Sequence, residues 1–241
     1  MTPESCSHRV LMLPKFIKPM LAATASEPFD SQQYVFEVKW DGIRCLAFVE
    51  GRRVRLQSRQ LMDLTAQFPE LDSLRALPDG TVLDGELVVL EQQRPSLSKV
   101  QQRVQRQDRN RIRLLSQQSP AAYMVFDLLY LRGRAVMRES LTNRREMLGE
   151  IVGTLRLPGV HVTESIAACG RALFREVMRR GLEGVMAKRA DSEYLPGKRS
   201  RTWQKIKPGN GCACSAGALK RSQDTEAISS HVGLIPSARK A

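Results

Sequence analysis

The sequence predicts an α+β domain built of antiparallel sheets flanked by helices. Strand-like and helix-like segments are intermixed along the chain, and several of the strands are joined by turns of hairpin length. An apolar fraction of 42% is enough for a packed core and excludes wholesale disorder. The 241 residues leave room for one large domain or two small ones.

Residues 1–30 are punctuated by prolines, and 1–16 are set apart as an N-terminal lead-in. Residues 34–39 (YVFEVK) alternate as a strand, which puts Val35, Glu37 and Lys39 on one face. A turn at Asp41-Gly42 leads to a second strand over 44–50, and Gly51 opens a hairpin into a third over 54–57. Leu64, Phe68, Leu71 and Leu74 have helical spacing, so a helix is expected over 64–77, stopped by Pro78-Asp79-Gly80. Residues 81–90 are strongly β-forming. A helix over 97–115 is expected to carry Arg103, Arg106, Arg109, Arg111 and Arg113, either as a solvated face or as contacts to a nucleic-acid backbone.

A strand over 123–130 closes at the Arg132-Gly133 turn. Helices over 142–152 and 171–180 flank a strand near 160–165, and strands at 184–188 and 202–207 are joined by a basic loop, Lys198-Arg199-Ser200-Arg201. The domain is therefore expected over 17–207. Residues 208–241 have no aromatic side chain and no periodicity, and they fall short of the roughly 50 residues a domain needs, so they read as a flexible tail.

Charge narrows the class of partner. Thirty-eight Lys and Arg against 25 Asp and Glu give +13, which favours a polyanion; nucleic acid fits best, since binding it releases condensed counterions. The five cysteines (Cys6, Cys45, Cys169, Cys212, Cys214) are odd in number and lack framework spacing, as expected in a reducing compartment. Cys212 and Cys214 form a C-x-C pair with no second pair at zinc spacing, and three histidines give little for His-based chemistry. The apolar patch at 10–13 is interrupted by Pro14, Lys15 and Lys18, and no stretch approaches the roughly 20 apolar residues of a membrane span. A cytoplasmic protein without a membrane partner is expected.

The chemistry centres on EVKWDGIR at 37–44. A lysine at a strand end, then a Gly-containing turn, then an arginine sets one amine and one guanidinium beside a tight bend. Such an amine attacks phosphorus only when uncharged, through desolvation or nearby cations. Taken alone, K-x-D-G equally describes a surface lysine beside a routine turn. It does not stand alone: Ser58-Arg59 with LTAQFPEL (64–71), DGEL (84–87), FDLL (126–129), EGVMAK (183–188) and WQKIK (203–207) follow in order. Together these resemble the motif series of the nucleotidyltransferases that work through a covalent lysine: ATP-dependent DNA ligases, RNA ligases and mRNA capping enzymes. The resemblance covers roughly residues 17–207.

That resemblance implies the nucleotidyltransferase fold of covalent ligases, which is ATP-grasp-like. It implies that Lys39 attacks the α-phosphate of ATP, forming lysyl-AMP and releasing pyrophosphate. Glu37 would accept from the adenine amino group, and Phe126 would stack on the ring. Arg44 and Arg59 would bind ribose and phosphate oxygens, with Arg199 as a further phosphate contact. Glu86 would hold the ribose hydroxyl, and Glu86 and Glu183 would serve a Mg2+ ion. Lys205 and Lys207, alternate residues of one strand, would face the α-phosphate and help to keep Lys39 deprotonated. Trp203 reads as packing.

The wording of these motifs most resembles bacterial ATP-dependent DNA ligases of the end-joining type. This implies AMP transfer to a DNA 5′-phosphate and strand sealing, in DNA repair and recombination, at the nucleoid. The implied substrate is double-stranded DNA with nicks or ends, and end-joining proteins are candidate partners. Those ligases continue into an OB-fold, whereas residues 208–241 carry no strand pattern of that kind; a shortened or frame-shifted end would each produce this. Two rivals remain: an RNA ligase or capping-type enzyme, and a basic DNA-binding remnant whose catalysis has lapsed.

Overall fold

The computed structural model describes residues 13–92 and 94–208. The expected tail, the Cys212/Cys214 pair and most of the lead-in lie outside the described residues. Two sheets face each other. One has the spatial order β1 (Leu21–Thr24), β12 (Arg199–Ile206), β11 (Val185–Arg189), β2 (Ser31–Val38), β10 (Ser165–Ala168). The other runs β4 (Arg53–Ser58), β3 (Ile43–Glu50), β5 (Thr81–Glu91), β7 (Ala121–Leu131), β8 (Arg134–Ala135), with β6 (Arg94–Pro95) added to β5 and β9 (Val160–Val162) to β7. Every pairing is antiparallel except β1 with β12 and β7 with β9.

The helices are α1 (Leu97–Val104), α2 (Arg109–Gln118), α3 (Leu141–Leu155) and α4 (Gly170–Arg179). Among the described residues none is long and apolar enough to cross a membrane. Apolar layers hold the sheets in place. Phe36 and Val38 of β2 pack with Leu173 and Val177 of α4 on the outer face of the first sheet. Leu83 and Leu87 of β5 and Val125 of β7 pack with Leu148 and Val152 of α3 behind the second. Between the sheets, Leu46, Phe48, Phe126 and Leu129 meet Tyr194 and Trp203. Since side chains alternate along a strand, Glu37, lying between Phe36 and Val38, faces inward toward this middle layer.

Local structure departs from expectation where tertiary packing or proline overrides periodicity. Residues 64–77 form two 3₁₀ segments, Thr65–Gln67 and Pro69–Ala76, rather than one α-helix. Pro69 has no N–H for an α ladder, and Phe68, Leu71 and Leu74 recur at threes, which suits three residues per turn. The 97–115 helix is two helices, α1 and α2, because Asp108 caps the second one, accepting from the Arg111 N–H at 2.8 Å.

Arg103 is not on a solvated face. It is 3% exposed and donates to both Glu70 oxygens at 2.9 Å, tying α1 to the 3₁₀ segment. Arg106, Arg109, Arg111 and Arg113 are exposed. The single strand expected near 160–165 is two short ones, β9 and β10, in different sheets. Arg199 and Arg201 belong to β12 rather than to the loop before it. The short parallel strand β1 had no signal in the sequence, since its pairing is made with residues far along the chain.

Candidate active site

A cavity of about 400 Å³ opens between the sheets. β2 contributes Glu37, and the bend after it contributes Lys39 and Trp40. Arg44 enters from β3, Arg59 from the turn after β4, Glu86 from β5 and Phe126 from β7. Met186 and Lys188 come from β11, while Arg199, Trp203 and Lys205 come from β12, with Lys207 just beyond it. Every residue expected at the site therefore lines one cavity except Glu183, which adjoins it through Lys39 and Lys207.

The bend holding Lys39 is shaped by close contacts. A Cβ on Gly42 would sit 2.2 Å from the Leu87 carbonyl oxygen, so only glycine lets the chain pass β5 here. The Lys39 N–H donates to the Gly184 carbonyl at 2.9 Å, and Gly184 has φ +154°, with a Cβ there again 2.2 Å from a carbonyl, that of Ile206. Two glycines from separate motifs thus bring Lys39 and Glu183 together.

Three polar clusters line the walls. In the first, the Lys39 ammonium is ion-paired with Glu183, and Lys207 Nζ reaches the other Glu183 oxygen at 2.6 Å. Burial acts to raise the Glu183 carboxyl, but hydrogen bonds from Lys207 and Lys39 outweigh it and hold the group below the usual range. Asp41, close by, is raised by burial and by repulsion from Glu183. The sequence predicts positive neighbours around Lys39; the folded chain adds a direct carboxylate partner.

In the second cluster, Arg44 donates to both oxygens of Asp84 at 2.5 and 2.6 Å, and Asp84 also accepts from the Tyr194 hydroxyl at 2.6 Å. Its guanidinium lies 4.6 Å from the Phe126 ring centre. In the third, Glu37 is 2% exposed and bound from two sides, by an ion pair with Lys188 and by Arg145 at 3.0 Å. The Lys188 ammonium lies 4.0 Å from the Phe126 ring centre and 4.3 Å from that of Trp203, and burial pushes its pKa down despite Glu37 and Asp127. Trp203, expected to be packing, is buried in the middle layer and also floors the cavity.

The sequence by itself assigns no role to Asp84, Arg145 or Lys188. Asp84 and Lys188 stand inside DGEL and EGVMAK, so the motifs already contained them. Arg145 stands in an unremarkable helix, and nothing local marks it.

Glu86 has its carboxyl raised to about 7, because burial outweighs the attraction of Arg44 and Lys39. A folded pKa above the unfolded value means that the folded state holds a proton which the unfolded chain releases. Stability should therefore fall as pH rises from about 4.5 to about 7 and level off above. Because Glu86 is partly exposed to the cavity, the expected loss is about 2 kcal/mol. Glu86→Gln should flatten that part of the pH–stability curve measured by urea unfolding; an unchanged slope would mean that Glu86 titrates normally.

Carboxylates suit a hard cation, and Mg2+ commonly takes one or two of them plus substrate phosphates. The carboxylates expected to serve such an ion are Glu86, in the cavity wall, and Glu183, whose two oxygens are taken by Lys39 and Lys207. Among the described residues there is no group of three or more metal-ligating side chains, so a complete protein cage is not formed.

A family model described as the ATP dependent DNA ligase domain matches residues 19–207. The chain is 40% identical over 207 residues to DNA ligase C1 of Mycolicibacterium smegmatis, covering 83% of this chain and 59% of that protein. It is 34% identical over 194 residues to the SPbeta prophage-derived DNA ligase-like protein LigB of Bacillus subtilis, covering 79% and 67%. Among solved structures, a mycobacterial DNA ligase D complexed with ATP and MES superposes with a TM-score of 0.67 at 33% identity, covering 81% of this chain and 62% of that one. The matched region thus spans 59% to 67% of the length of these relatives.

Proposed function

Because this chain belongs to the family of ATP-dependent DNA ligase domains, we propose that it takes AMP from ATP onto Lys39 and passes it to the 5′-phosphate of nicked or broken duplex DNA for sealing. The observation that supports this most is that Lys39 shares one cavity with Glu86, Phe126 and Lys205, although they come from four different strands or bends. Residues 17–207 are the catalytic unit in this reading.

An amine attacks phosphorus only as the free base, so Lys39 has to release its proton to solvent and turn from Glu183 toward the α-phosphate before the step. The Lys39 nitrogen then bonds to the α-phosphorus while the bond to the pyrophosphate oxygen breaks. Lys205 and Lys207 offset charge developing on the α-phosphate oxygens. Arg44, held by Asp84, presents its guanidinium to the ribose and phosphate, with Arg59 and Arg199 as further phosphate contacts. The Phe126 ring receives the adenine face, and Glu37 accepts from its amino group. Glu86 accepts from the ribose hydroxyl. Glu86 and Glu183 would hold Mg2+, which supplies neutralising charge to the phosphates.

The charge of +13 favours a duplex gripped by its phosphates, since sealing has to work at any sequence. The same reading puts the protein in the bacterial cytoplasm, at the nucleoid, in repair and recombination beside end-joining proteins. The test is incubation with α-labelled ATP or GTP, followed by nicked DNA or nicked RNA. Label from ATP that appears on the protein and is then chased onto nicked DNA is the expected result. Label from GTP, or chased only onto RNA, would establish a capping enzyme or an RNA ligase, and DNA binding without any label would establish a lapsed remnant.

A further inference from the structure

Arg145 does not line the cavity, yet it touches both of its base-recognising walls. It projects from α3 and is 13% exposed. One guanidinium nitrogen donates to Glu37 Oε2 at 3.0 Å and to the Phe126 carbonyl at 3.3 Å, and the other donates to the Thr163 carbonyl at 2.6 Å. Glu37 belongs to the first sheet and Phe126 to the second, so one planar fork spans the two walls of the cavity. Thr163 extends the frame: its N–H donates to the Val125 carbonyl at 2.7 Å, and its hydroxyl accepts from the Trp40 indole at 3.2 Å. Lys188 completes the grip on Glu37 from the opposite side.

We propose that Arg145 is the positioning residue that makes this cavity prefer a 6-amino purine over a 6-oxo purine. This deepens the nucleotide reading above and rests on it. Bound between two cations, the Glu37 carboxylate presents only acceptor lone pairs to the cavity. An amino group at purine C6 can donate to it, whereas a 6-oxo group would set acceptor against acceptor. Burial of Glu37 makes that mismatch costly, because the carboxylate is shielded from bulk water. The same fork fixes the Phe126 backbone, and with it the height of the ring beneath the base. A lysine in place of Arg145 could satisfy Glu37 but could not span Glu37, Phe126 and Thr163 with one planar group.

The experiment compares ATP with inosine triphosphate, its 6-oxo counterpart, as donors of label to the protein, using the full chain. The wild type is expected to prefer ATP. In Arg145→Met that preference should fall on the order of tenfold or more, through KM, the loss matching one hydrogen bond to a charged group. Arg145→Lys should fall in between, and it serves if the methionine variant does not fold, as judged by thermal melting. An equal loss with both nucleotides in either variant would make Arg145 a structural strut and overturn the proposal. If the wild type takes no label, the function reading fails by itself. Calorimetric affinities for ATP and inosine triphosphate then decide: an ATP preference that Arg145→Met erases upholds the proposal, and its absence in the wild type overturns it.

Discussion

Lys39→Ala is expected to remove label transfer from ATP to the protein altogether, a fall on the order of 10³-fold or more. Lys39 is the only amine that lies at the K-x-D-G bend, and its nitrogen would form the covalent bond. A more searching variant is Lys39→Arg. Arginine keeps the positive charge opposite Glu183 but stays protonated at any working pH, so it has no lone pair to offer. If Lys39 served only as a charged partner of Glu183, the arginine variant would retain label. Equal silence in both variants identifies the nucleophile. Fold should be retained in each, because a partly exposed ion pair contributes roughly 0–1 kcal/mol. Label persisting in Lys39→Ala would move the nucleophile to a neighbouring lysine, Lys205 or Lys207, and peptide mapping of the adduct would show which.

Arg144→Met is expected to destabilise the domain by about 3–5 kcal/mol. Arg144 and Asp127 are both 0% exposed and are joined by two bonds of 2.7 and 2.8 Å, from β7 to α3. Arg144 also donates to the carbonyls of Glu139 and Ser192 at 2.7 and 2.9 Å. Methionine fills much of the space but leaves Asp127 as a buried carboxylate without its cation. Pairing it with Asp127→Leu should recover a large part of the loss, since a buried ion pair can often be replaced by apolar groups of similar volume. Urea unfolding measures both. A loss under about 1 kcal/mol in Arg144→Met would mean that Asp127 is solvated or repartnered in the variant. Arg144 and Arg145 are adjacent on one helix, yet the first anchors α3 to β7 while the second reaches Glu37. A stability loss should follow the first and a change in nucleotide preference the second.

Much of the site was legible before any coordinates. Glu37, Arg44, Glu86, Phe126 and Lys205, which line the cavity from β2, β3, β5, β7 and β12, stand inside the ordered motifs, because each motif is a short strand or bend whose side-chain direction follows from period two. Gly42 and Gly184 were legible as motif letters, although the reason for them, a carbonyl oxygen where a Cβ would be, is visible only in three dimensions. Expectations failed where spacing is ambiguous. Leucines at threes and fours fit a 3₁₀ segment as well as an α-helix until Pro69 decides, and the arginines of 103–113 look alike until Arg103 turns inward to Glu70.

The hairpin strands on either side of Gly51, the bend at Lys39 and the surplus of positive charge are properties of neighbouring residues or of composition, and the chain written as letters was enough to establish them. Which charges meet was decided only by the folded molecule. Lys39 with Glu183, and Glu37 with Arg145, are 144 and 108 positions apart along the chain. Coulomb attraction and hydrogen bonding depend on distance and angle through space, and no local pattern encodes either until two sheets have closed on each other.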